Sequence, residues 1–207
     1  MKKAVSMFLT AALAVSCLAG CGSSAGNTST GNASAGADSS ASDDSAADGS
    51  VFKIGSIGPT TGDAAIYGNA VMNAAQMAVD EINAAGGANG YQLAFKAEDD
   101  QNDAEKSVNA YNSLKDWGMQ MLVGAVTSGC SIAVSEYSKD DNMFQLTPSG
   151  SAVECVQYDN AFRVCFSDPN QGLASAQYIG ENHLATKVAV IYNSSDVYSS
   201  GIYQKFA

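Results

Sequence analysis

The sequence predicts an α/β fold, a three-layer sandwich with a mainly parallel sheet. Two observations predict it. From Val51 onward, short apolar runs alternate with longer stretches of helical period, the element order of a parallel sheet covered on both faces. The connections that follow the apolar runs are polar and rich in glycine, and in such sheets ligands bind outside the carboxyl ends of the strands.

The first 50 residues stand apart from that pattern. Met1-Lys2-Lys3 precedes an apolar stretch from Ala4 to Val15, too short and too rich in Ala and Ser for a transmembrane helix. Leu18-Ala19-Gly20-Cys21 follows. Small residues before the cysteine keep the backbone extended and accessible to a signal peptidase, whereas an ordinary cleavage site needs no cysteine. Residues 1–20 therefore read as a lipoprotein signal, with Cys21 acylated (by palmitate or a similar chain) as the mature N-terminus. A plain signal peptide or an uncleaved anchor is the alternative, and Cys17 falls within the signal. Gly22 to Ser50 contains only Gly, Ser, Ala, Asn, Thr and Asp. With no large apolar residue it cannot offset its own ordering entropy, so 21–50 reads as a disordered tether spanning roughly 30 Å. The address is extracytoplasmic, held to a membrane by lipid.

The globular elements follow in order. Val51 to Ile57 is a strand ended by Gly58-Pro59. After Gly68, residues Val71, Ala75, Ala78, Val79 and Ile82 fall on one helical face, Asn73, Asp80 and Glu81 on the other, and Gly86-Gly87 ends the helix. Tyr91 to Ala97 alternates as a second strand. Asp103 is an N-cap for a helix that turns Ala104, Val108, Tyr111 and Leu114 inward. Met119 to Val123 is a third strand, Thr127-Ser128-Gly129 opens a helix through Lys139, and Met143 to Leu146 is a fourth strand. Ala161 to Phe166 reads as a strand, Asp168-Pro169 as N-cap and N1 of a helix, Lys187 to Tyr192 as a strand, and Tyr198 to Phe206 as a helix. That last helix has no C-cap before Ala207, so the 207 residues read as a fragment of a longer protein.

Net charge is −11, and −13 without Lys2 and Lys3, from 8 basic and 21 acidic residues. That balance argues against nucleic acid, whose affinity comes from basic side chains, and against a polybasic grip on anionic lipid. Beyond Cys17 and Cys21, only Cys130, Cys155 and Cys165 remain, without zinc-type spacing. Cys130 and Cys155 read equally as a pair or as buried free thiols.

Several segments resemble the branched-chain amino acid (leucine/isoleucine/valine-type) binding family of ABC importers, with the type I periplasmic-binding-protein fold. They are Ile54 to Asp63, Tyr67-Gly68, Ala78 to Gly87, Glu98-Asp99-Asp100-Gln101, Val123-Gly124, Thr147-Pro148-Ser149, Phe162-Arg163, and Ser167-Asp168 through Gln171-Gly172. None is specific alone; their order along the chain is. The resemblance implies two α/β lobes closing on a ligand, with 51–160 as the first lobe. Residues 161–207 would be the crossover strand and the start of an incomplete second lobe.

An amino acid offers a carboxylate, which wants hydroxyls and free helix-start N–H groups, and an ammonium, which wants acceptors. Ser128 supplies a hydroxyl at a helix start; Ser149 and Ser151 supply a carbonyl, an N–H and hydroxyls. The resemblance places the family's carboxylate-binding serine on Ser128 and its Ala and Thr on Ser149 and Ser151. It places the aromatics at the mouths of the two lobes on Tyr67 and Tyr198, walling a side-chain pocket with Val126 and Thr127. Caps and turns are the competing account, since Ser and Thr favour helix starts regardless of function. The family's acidic ammonium partner would lie beyond Ala207.

Other groupings carry less. Glu98, Asp99, Asp100 and Asp103 fit capping and solvation at a strand end better than a metal. His183, the only histidine, sits late in a helix with no nucleophile arranged beside it. Gly55-x-x-Gly58 is not a dinucleotide fingerprint. The expectation is a monomeric, non-enzymatic binding protein without cofactor or metal. It would deliver an amino acid to ABC permease subunits in a cell of Gram-positive type. The alternative is a ligand-sensing receptor domain of the same fold.

Overall fold

Five strands form one parallel sheet in the order β2-β1-β3-β4-β5. They belong to a computed structural model that describes residues 51–207; the predicted signal, Cys21 and the predicted tether lie outside the described residues. The elements are β1 (Val51–Gly58), α1 (Ala65–Ala84), β2 (Gln92–Asp99), α2 (Ala104–Asp116), β3 (Met121–Val123), α3 (Ser128–Asp140), β4 (Gln145–Thr147), a 3₁₀ turn (Val153–Val156), β5 (Ala161–Arg163), α4 (Asp168–Glu181) and α5 (Val197–Phe206). The predicted α/β class with a parallel sheet is the observed one.

Strand order reverses at β1. Right-handed crossovers then carry α1 to one face and α2 and α3 to the other. The main core lies under α2 and α3, where Ile57, Tyr111, Leu114, Leu122 and Val134 are fully buried. Each such side chain is worth about 1.5–3 kcal/mol when fully withdrawn from water. Asp103 caps α2 as expected, its Oδ1 accepting from Lys106 N at 2.9 Å.

Helix α1 is covered along a narrower stripe than its pattern predicts. Gly68, Met72 and Val79 are buried, while Ala78 and Ile82, expected inside, are exposed. The reason is the closeness of one contact. A Cβ on Gly68 would stand 1.8 Å from Pro59 O, so the helix pivots on Gly68 against the β1 loop. Gly68, Met72 and Val79 then define the inward face.

Four further expectations shift. Residues 187–192 form no strand: Ile191 is fully exposed and Tyr192 stacks on Tyr203 at 4.0 Å. A β-branched run supplies propensity, but a strand needs a ladder partner, and no described strand lies alongside. The N-cap position of α4 is Ser167, which makes no side-chain capping bond, one residue before the predicted Asp168, so Asp168 is N1 and Pro169 follows it. Strand β5 stops at Arg163, and His183 lies past the end of α4 with φ 51°. Helices α4 and α5 pack against each other, so closely at Gly172 that a Cβ there would meet Ile202 O at 2.2 Å.

Candidate functional site

The strand order reverses between β1 and β3, and in open α/β sheets ligands bind outside the carboxyl ends of the strands at such a point. Three loops rim this end of the sheet: 59–64 after β1, 124–127 after β3 and 148–152 after β4. The structure brings five of the predicted residues together here, Val126, Thr127, Ser128, Ser149 and Ser151. Tyr67 stands on the first turn of α1 with its ring 65% exposed. Tyr198 stands on α5 beside a shallow groove walled by Val190, Tyr192 and Ile202. Among the described residues neither ring is hydrogen-bonded to the serines.

Ser128 opens α3 after an extended N-cap, Thr127, that makes no side-chain capping bond. The first helical N–H groups have no intrahelical acceptor; the ladder begins with Ser131 N donating to Thr127 O at 2.9 Å. The buried Ser128 Oγ accepts from Ser151 N at 3.1 Å and Ala152 N at 3.2 Å. A hydroxyl has two acceptor sites and one donor, so Ser128 is left with a proton to give. Ser149 is in the opposite position. Its exposed hydroxyl donates to Val126 O at 2.6 Å, which leaves its lone pairs free to accept. Val126 itself is buried against Gly58, where a Cβ would meet its Cγ2 at 2.5 Å, so it offers the rim its carbonyl rather than its side chain.

Further bonds hold the two loops in place. Thr147 Oγ1 donates to Ala125 O at 2.7 Å and accepts from Gly150 N at 2.9 Å. Ser131 Oγ donates to Ala125 O at 3.0 Å. Arg163 Nη1 donates to Ser151 O at 2.9 Å and Ala152 O at 3.1 Å. Sequence reasoning placed Arg163 only in a matching segment, and nothing in its neighbours signals that it clamps the serine loop. It likewise missed Asp168 and Gln171, whose side-chain oxygens are buried without partners, as is Thr127 Oγ1.

The acidic turn after β2 is a structural anchor. Asp99 accepts from Thr60 N at 2.8 Å, Gln101 N at 3.0 Å and Thr61 Oγ1 at 2.5 Å, tying the β1 loop to the end of β2. Burial raises its pKa, but these hydrogen bonds outweigh it and bring the carboxyl from 3.8 down to about 2. With the folded value below the unfolded one, the anchor contributes in full above the ordinary carboxylate range and is lost as pH falls toward about 2. Asp99→Asn is expected to flatten that acid limb of the unfolding midpoint plotted against pH. Asp100 is buried beside it, accepting from Asn102 N and Ser107 Oγ at 2.9 Å each, and burial pushes its pKa up.

Cys130, Cys155 and Cys165 are free. Burial pushes the Cys130 and Cys155 thiols up to about 11, so neither supplies a thiolate nucleophile near neutral pH.

A family model described as periplasmic binding protein matches residues 51–206. The chain belongs to the periplasmic binding protein family. This periplasmic binding protein chain is 35% identical over 155 residues to Leu/Ile/Val-binding protein BraC3 of Rhizobium johnstonii, covering 74% of this chain and 42% of that protein. It is 34% identical over 152 residues to a leucine-, isoleucine-, valine-, threonine- and alanine-binding protein of Pseudomonas aeruginosa, covering 72% and 40%. Among solved structures, it is similar to the branched-chain amino acid transporter substrate-binding protein LivJ of Streptococcus pneumoniae in complex with isoleucine. That match has a TM-score of 0.72 at 30% identity and covers 75% of this chain and 45% of LivJ. The leucine-binding protein LivK of Thermotoga maritima matches with a TM-score of 0.69 at 26% identity. The chain thus spans less than half the length of these relatives. These relatives are binding proteins by name.

Proposed function

We propose that this chain belongs to a protein that captures an amino acid outside the cytoplasm and delivers it to an ABC importer. One observation carries the reading: Ser128 keeps a proton to donate, at the start of a helix, while Ser149 keeps lone pairs to accept, on the adjoining loop. A donor backed by free helix-start N–H groups suits a carboxylate, and an acceptor a short reach away suits an ammonium. The names of the relatives point to leucine, isoleucine and valine as the ligand class. On this reading residues 51–160 are the first ligand-binding lobe and 161–207 the crossover and opening of the second. Tyr67, Tyr198 and Thr127 wall the ligand's side chain. Residues 1–20 are the signal, Cys21 the lipidated residue and 21–50 the tether that keeps a monomeric receptor near its permease at the surface of a Gram-positive cell.

Calorimetric titration of the full-length mature protein with leucine, isoleucine and valine tests this. Saturable binding of at least one is expected. Heats indistinguishable from dilution for all three would overturn the reading.

A further inference from the structure

The first turn of α4 carries a carboxylate that the fold buries without a partner. Asp168 is 1% exposed, and neither of its oxygens meets a hydrogen-bond donor. Gln171 Oε1, one turn further along, is likewise unpartnered. An unpaired buried carboxylate is costly, and this one is confined: a Cβ on Gly201 of α5 would lie 3.0 Å from Asp168 Cβ and 3.2 Å from its Oδ2. Its backbone fixes it against the serine loop. Asp168 N donates to Ser151 O at 3.0 Å, the same oxygen that takes Arg163 Nη1 at 2.9 Å. A carboxylate from α4 is therefore held beside the loop that completes the site.

Ser151 is buried, and its backbone is fully used: N donates to Ser128 Oγ, and O accepts from Asp168 N and Arg163 Nη1. Only its hydroxyl is uncommitted. The direction of that proton decides whether Ser151 offers the cleft a donor or an acceptor. We propose that Asp168 is a positioning residue for ligand recognition: as ligand seats, its carboxylate accepts the Ser151 hydroxyl proton in a hydrogen bond and turns the Ser151 Oγ lone pairs toward the ligand's ammonium. The inference rests on the amino-acid reading above and adds Ser151 to Ser149 as an acceptor for the ammonium. The unpartnered carboxylate is then the poised state, completed by ligand.

The charged and titratable groups facing Asp168 are Arg163 at the end of β5, Glu154 and Cys155 in the 3₁₀ turn, Cys165, and Asp196 before α5. Burial pushes the Asp168 pKa up; the Ser151 hydroxyl, close by but short of hydrogen-bond geometry, and the Arg163 charge draw it back in part, and Asp196 and Glu154 add to the rise. Once protonated, Asp168 donates to Ser151 Oγ instead of accepting from it, and the acceptor is lost. Leucine affinity should therefore fall as pH drops through a range above that of an ordinary carboxylate.

The test is calorimetric titration of the full-length protein with L-leucine and with 4-methylpentanoate, the same skeleton without the amine, between about pH 5 and pH 8. Asp168→Ala, which removes the acceptor that Asn would keep in its amide oxygen, is expected to weaken leucine binding by roughly tenfold or more, leave 4-methylpentanoate binding unchanged and, like Asp168→Asn, flatten the acid limb for leucine. Unchanged leucine affinity, or equal losses for both ligands, would overturn the inference. Ser151→Ala gives a second route: it should abolish the pH dependence of the preference for leucine, and a dependence that persists would overturn the inference as well. A wild-type protein that binds none of leucine, isoleucine and valine overturns the amino-acid reading and this inference with it. A wild-type protein that binds leucine while Asp168→Ala changes nothing overturns this inference alone.

Discussion

Ser128→Ala is expected to weaken amino acid binding by about a hundredfold. Two losses combine in that figure. On the proposed reading the proton left on Ser128 Oγ meets the ligand's carboxylate, and a hydrogen bond to a charged partner is worth about 1.5–3 kcal/mol. The inward lone pairs hold Ser151 N and Ala152 N at 3.1 and 3.2 Å, so alanine also leaves two buried N–H groups without an acceptor. Titration of the full-length variant with leucine measures the first loss, and the unfolding midpoint measures the second. Ser128→Cys separates them in part, since a thiol fills the space but donates and accepts weakly. A variant that keeps wild-type affinity would remove Ser128 from the site.

Gly68→Ala is expected to be the most disruptive small substitution in the described residues. The added carbon would lie 1.8 Å from Pro59 O and 2.5 Å from Pro59 C. Both are backbone atoms, so no rotamer change relieves the clash and α1 must retreat from the β1 loop. Overpacking of this kind costs about 1–3 kcal/mol, and more where backbone has to move. Tyr67 is the adjacent residue, so the shift should carry its ring away from the rim. Thermal unfolding of the full-length protein is expected to show a clear fall in midpoint, and leucine affinity is expected to fall with it. Gly129→Ala is the matched control: it opens α3 beside Ser128, yet a Cβ there meets nothing within 4 Å.

The sheet and its helices were legible because period and capping are local properties. Asp103 announces α2 by chemistry that needs only the next three residues. Ser128 and Ser151 were legible for a related reason, since both follow strand runs and such ends converge in a parallel sheet. Non-local features were not legible. The inward face of α1 is set by the approach of Gly68 to Pro59 O, and no periodicity encodes a contact with a loop. Asp168 reads as a helix cap in sequence because Asp before Pro usually is one. Its burial depends on the arrival of α5, and its neighbour Ser167 takes the cap position instead. The run at 187–192 has strand propensity, but pairing is a property of two segments and the run is only one of them.

The place of β1 in the sheet has a consequence for how this chain reaches its fold. The first of the described strands to be made is an interior one, flanked on both sides, in register Val51↔Gln92 with β2 and Ile54↔Met121 with β3. A chain emerging N-terminus first therefore presents Val51–Gly58 long before either partner exists. During that interval both edges of an apolar strand are open templates for another chain. β1 is not paired on both edges until β3, ending at Val123, has emerged, when close to half of the described residues are out. Export of such a protein would thus require that this one short segment be kept from pairing, and holdase protection should matter most at Val51–Gly58.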